Sequence, residues 1–102
     1  MVKYVILEEE GSFEHGHLIS GSTGLLNQGQ VYIGLPSAIA AMQKEMETWK
    51  QNTLLRLLDD NNQEDEYQSI SDFISKEMFY TGDKIVNGHE RQVELTIFEI
   101  RD

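Results

Sequence analysis

Apolar positions repeat at the helical period over one long stretch, residues 36–60, PSAIAAMQKEMETWKQNTLLRLLDD. Ile39, Met42, Met46, Trp49, Leu54, Leu57 and Leu58 fall on one broad stripe, while Lys44, Glu45, Thr48 and Gln51 lie mainly off it. Pro36 suits a first helical turn, where its missing N–H has no partner to lose. The stripe weakens over residues 50–53, so the pattern leaves open one helix or two. An amphipathic helix gains most of its stability from tertiary packing, and the strand-like ends of the chain supply the surface it needs.

At the N-terminal end, residues 2–9 read as a strand. Val2, Tyr4 and Ile6 alternate with Val5 and Leu7, so both faces carry apolar groups, as in an inner strand. Glu9-Glu10-Gly11-Ser12 reads as a turn, and residues 13–20 as a second strand returning antiparallel. Three glycines make residues 21–30 a loop by composition, and QVYIGL, residues 30–35, reads as a short third strand leading into Pro36.

Beyond the long helical stretch, DDNNQEDE at residues 59–66 terminates it, because Asp and Asn compete for helix backbone and favour caps and turns. A second helix follows. Ser69 and Asp72 have capping-box spacing, Tyr67, Ile70, Phe73, Ile74 and Met78 form its apolar stripe, and Gly82 is placed to end it. Asn87-Gly88 is a strong hairpin signal between Lys84-Ile85-Val86 and residues 91–100. In the last run Val93, Leu95 and Ile97 alternate with Glu94, Thr96 and Phe98.

The order is β-β-β-α-α-β-β. Strands, then helices, then strands make an α+β class: an antiparallel sheet of four to five strands with both helices on one face. The first and last strands are the most apolar and belong side by side at its centre. The short acidic connection favours an antiparallel helix pair. At 102 residues the chain is expected to be a single domain, 1–102, burying about two-thirds of its unfolded surface.

Charge changes the picture most. Eight Lys and Arg against eighteen Asp and Glu give −10, which argues against direct nucleic-acid binding, since phosphate contacts need cations. No basic residue lies between Arg56 and Lys76, yet Asp59, Asp60, Glu64, Asp65, Glu66 and Asp72 all do. These six are the candidate partner-binding residues, for a basic protein surface. The plain alternative is a solvated acidic loop.

Other chemistry is sparse. The chain has no cysteine, hence no disulfide framework and no thiolate nucleophile or ligand. Its N-terminus has the pattern of neither a signal peptide nor a membrane span, and a cytoplasmic location is the expectation. His15-Gly16-His17 would put two imidazoles on one strand face, with Glu10, Glu14 or the distant His89 as further ligands, but spacing alone does not make ligands converge, and no metal is expected. Gly21-Ser22-Thr23-Gly24 lacks the Lys of a phosphate loop, and no Lys or Arg lies between Lys3 and Lys44. Ser12, Ser20 and Ser22 lie near the two histidines without a nucleophile-elbow motif. No cofactor and no catalytic role are expected. Trp49, with Met42 and Met46, reads as core before it reads as a partner anchor.

The expected function is therefore a small acidic protein-interaction module. In composition, though in no motif, it is similar in kind to inhibitors that phages and mobile elements encode against host restriction or CRISPR machinery, filling a basic nucleic-acid-binding groove. The alternative is a regulatory or accessory homo-oligomeric domain whose acidity serves solubility, and a histidine-based enzyme comes last.

Overall fold

A computed structural model describes residues 2–49 and 67–101. Its strands are β1 (Lys3–Glu14), β2 (His17–Leu25), β3 (Tyr32–Ile33), β4 (Phe79–Val86) and β5 (His89–Ile100), and its helices α1 (Leu35–Met46) and α2 (Ile70–Glu77). The sheet is antiparallel with order β2-β1-β5-β4, and β3 pairs with β1 at its first residues. This is the α+β architecture expected, with the first and last strands adjacent in the sheet interior.

One face of the sheet forms the core. Ile6 lies opposite Ile97, and Tyr80 opposite Leu95, so strand alternation puts these with Val93 on the same side. Ala38, Ile39 and Met42 of α1 and Phe73 and Ile74 of α2 join them in one buried cluster. Both helices therefore cover the same face. Each fully buried Ile, Leu, Met or Val here stabilises the fold by about 1.5–3 kcal/mol relative to exposure. Trp49 belongs to the same core and stacks on Tyr80 at 6.5 Å between centroids, with 17° between planes. No described element covers the opposite face.

Three expectations need correction. The first hairpin turns at His15-Gly16, not at residues 9–12. Both turn residues take positive φ (52° and 78°), as a two-residue hairpin loop requires. Gly11 and Gly21 are instead strand residues lying opposite each other, and the stretch read as a loop from residue 21 is β2 as far as Leu25. Glycine marks a close approach of two backbones here: a Cβ on Gly21 would sit 2.0 Å from the Glu10 carbonyl oxygen. The third strand is only Tyr32–Ile33, because Leu26–Gly29 forms a tight turn with left-handed Asn27 and Gln28.

The long helix is also shorter than its hydrophobic stripe. It ends at Met46, where Thr48 and Trp49 N–H groups bond back three residues to Glu45 and Met46 carbonyls (3.0 and 3.1 Å). The Thr48 hydroxyl donates to the Glu45 carbonyl as well (2.7 Å), taking an acceptor that a continuing helix would use. The break thus precedes residues 50–53, which, with the rest of the stretch to Asp60, lie outside the described residues.

Helix α2 starts as expected. Asp72 N–H donates to Ser69 Oγ (3.1 Å), and the Asp72 carboxylate accepts from Gln68 N–H (3.1 Å). It does not end at Gly82. Met78 takes the left-handed conformation (φ 66°), donating to the Ile74 carbonyl, and its own carbonyl accepts from Ile97 N–H, both at 2.8 Å. That bond to β5 holds a non-glycine residue where propensity favours glycine. Gly82 is buried inside β4, opposite Val93.

Candidate functional site

Of the six carboxylates proposed as a partner surface, Asp59, Asp60, Glu64, Asp65 and Glu66 lie outside the described residues. Asp72 is placed, and its carboxylate is engaged. It caps α2 and pairs with Lys76 one turn later at 3.1 Å. The backbone N–H of Gln68, then Lys76, hold its pKa below the usual carboxylate range. A group so occupied serves the helix first.

The densest charge cluster among the described residues lies elsewhere, between α1 and the sheet. Strand alternation puts Glu8 and Glu10 on the core face beyond Ile6, opposite Leu95 and Val93. Lys84 of β4 reaches toward them from across β5. Its Nζ lies 3.5 Å from Glu10, 3.8 Å from Glu8 and 3.5 Å from Glu45 of α1. One ammonium thus serves three carboxylates from two elements, and the cluster keeps a net negative charge.

The pKa shifts follow from that imbalance. Burial raises the pKa of Glu8; Lys84 works against this, while repulsion from Glu45 and Glu10 adds to it. Burial acts to lower Lys84, but the attraction of Glu8, Glu10 and Glu45 overcomes it and its pKa is raised. Glu8 Oε2 is buried without a hydrogen-bond partner among the described residues. The arrangement ties α1 to the far edge of the sheet at the cost of crowding like charges.

Glu45 also borders a cleft of about 360 Å³ lined by Asn27, Gln30, Tyr32, Ala41, Lys44 and Thr48. Inside it Asn27 Nδ2 donates to the Tyr32 hydroxyl at 2.8 Å. The cleft presents amides, a phenol and one charge of each sign, a set suited to polar contacts rather than to bond-breaking chemistry.

A second carboxylate pair stands on the open face. Glu9 lies directly opposite Glu94. Burial raises the Glu94 pKa, and repulsion from Glu9 adds to the rise against a small opposing effect of His17.

The histidine, glycine and serine motifs meet different surroundings from those their spacing suggested. His15 occupies the turn and His17 opens β2, so the two do not share a strand face. Among the described residues no three His, Asp or Glu side chains converge to hold a metal. Ser22, Thr23 and Gly24 lie in β2 opposite Glu10, Glu9 and Glu8, an acidic border that disfavours a phosphate. Ser12, Ser20 and Ser22 line a cleft of about 490 Å³ with His89, Glu90 and Arg91, not with His15 or His17.

The Lys84 cluster had a legible signal. Glu8 and Glu10 continue the Tyr4–Ile6 face at a period of two, so the pattern that buries Ile6 aims both glutamates at the helical side. Glu45 and Lys84 carried none, because their meeting depends on how α1 lies across the sheet. Among the described residues no helix is long and apolar enough to cross a membrane. The chain matches no protein-family model, no curated protein and no solved structure.

Proposed function

We propose that the protein is a small non-catalytic interaction module whose carboxylates occupy a basic, nucleic-acid-binding surface of another protein, in the manner of an anti-defence inhibitor that mimics DNA. The observation that carries this reading is the charge of −10 and its distribution. Six carboxylates from Asp59 to Asp72 have no basic residue among them, and at Lys84 three carboxylates share one ammonium. Carboxylates so arranged compete with phosphates for Lys and Arg, and their field speeds encounter with a cationic partner at low salt.

The reading is tested by immobilising the protein, capturing from lysate, and eluting in turn with a salt gradient and with duplex DNA. Recovery of a basic nucleic-acid-binding protein that DNA displaces supports it. Capture that neither salt nor DNA reverses overturns it. A second reading, a homo-oligomeric accessory domain whose acidity serves solubility, is favoured by the sheet face that no described element covers.

A further inference from the structure

We propose that the sheet face opposite the helices, which no described element covers, binds a second copy of this chain, the two sheets packing face to face with their β1 strands antiparallel. On this face the residues fall into rows fixed by strand pairing. Lys3 sits beside Ile33 and Ile100, Val5 beside Phe98, Leu7 beside Leu25 and Thr96, and Glu9 beside Glu94. Leu25, Ile33 and Phe98 are 47%, 52% and 48% exposed, an apolar band with a single cation at one end and a carboxylate pair at the other.

That polarity selects the occupant and its orientation. A two-fold axis across the strands lays each row over its mirror row and each strand over its own copy: Val5 over Leu7 and Phe98 over Thr96 of the second copy, and Lys3 over that copy's Glu9, beside Glu94. The contact is then isologous, repeated identically on both sides of the axis. A two-fold axis along the strands would instead stack Lys3 on Lys3 and Glu9 on Glu9, which like-charge repulsion disfavours. Packed sheets of this kind keep their strand directions within about 30° of each other, a tilt that Lys3 accommodates with its long stem. Glu94 fits the same picture. Its desolvated carboxylate, crowded by Glu9 and relieved only in part by His17, would gain a closer counter-ion in Lys3 of the second copy.

The surface shares no residue with the acidic run of residues 59–72, and the proposal stands or falls independently of the partner proposed above. The test is the oligomeric state of the purified chain by sedimentation and light scattering over a concentration series. The expected result is a dimer that Phe98→Glu weakens by about tenfold or more, with the circular dichroism spectrum unchanged. A charge-swap pair guards against a variant that merely misfolds. Lys3→Glu alone and Glu9→Lys/Glu94→Lys alone should each be monomeric, and their mixture should form a heterodimer, although both variants remain net negative. A monomeric wild-type chain across the series, or a dimer that Phe98→Glu and Lys3→Glu leave intact, overturns the proposal.

Discussion

Gly11 and Gly21 face each other across the β1–β2 pair so closely that neither position has room for a side chain. A Cβ on Gly11 would lie 2.1 Å from the Ser20 carbonyl oxygen and one on Gly21 2.0 Å from that of Glu10, and both residues sit at φ near +149°. The obstructing atoms are backbone on both sides, so the strands have to part. Gly21→Ala is expected to destabilise the chain by at least ~1–3 kcal/mol from the backbone conformation alone, with the clash added. Urea unfolding measures it, and a variant within error of wild type would show that the two strands do not meet in this register.

Lys84 is expected to hold α1 to the sheet by charge. Lys84→Met leaves Glu8, Glu10 and Glu45 facing one another, and the loss at neutral pH should be about 1–3 kcal/mol, between the values for exposed and buried pairs. The loss should shrink in acid, where the carboxylates take up protons. A loss equal at pH 4 and pH 7 would mean that the attraction of Lys84 to the three carboxylates is not what holds α1 to the sheet.

Glu8 carries the opposite sign. Its folded pKa lies above its ordinary value of 4.5, so the fold favours the neutral carboxyl. Stability from this group is present below pH 4.5, declines as pH rises through the folded pKa, and stays lost above it. Glu8→Gln should therefore melt higher than wild type at pH 7, and the gap should close toward pH 4. Lower melting of the glutamine variant at pH 7 would sink the assignment.

These two predictions also show where sequence patterning stops. Period-two alternation over Ile6, Glu8 and Glu10, and over Val93, Leu95 and Ile97, reads directly as a strand face, and Asn87-Gly88 and Ser69/Asp72 mark a turn and a cap by their own chemistry. Gly11 and Gly21 misled because glycine is used in turns and in close backbone approach alike, and only pairing distinguishes the two; Gly82 misled because Met78 ends the helix before it is reached. The helix end at Met46 was hidden because Trp49 continues the apolar stripe although it reaches the core from a turn. The Lys84 cluster needed three elements to be placed before its members could meet.

Ser69→Ala tests the cap. Removing the hydroxyl leaves Asp72 N–H without its acceptor and should cost about 1 kcal/mol, within the usual range for such caps. Asp72, whose pKa is lowered, contributes stability above its ordinary value of 3.8 and loses it as pH falls, so Asp72→Asn should destabilise at pH 7 and not at pH 2. Thermal melts at the two pH values decide it; equal effects at both would separate Asp72 from the cap.

The acidic run requires a different experiment, because Asp72 has structural work and a loss of binding on its substitution would be ambiguous. Asp60, Glu64, Asp65 and Glu66 avoid that difficulty. Converting all four to Asn or Gln keeps size and polarity while removing charges that repel one another in a chain of −10. The melting temperature should stay level or rise slightly. Binding should respond in the other direction. Charges at the rim of an interface govern association rate and salt dependence, whereas carboxylates desolvated against Lys or Arg cost roughly 2–5 kcal/mol when removed from a buried pair. The quadruple variant should therefore remain folded, release its captured partner at lower salt, and show a shallower dependence of affinity on salt concentration. Folding and partner affinity both unchanged would return the run to solvated surface, and the charge-based reading of this protein would fail with it.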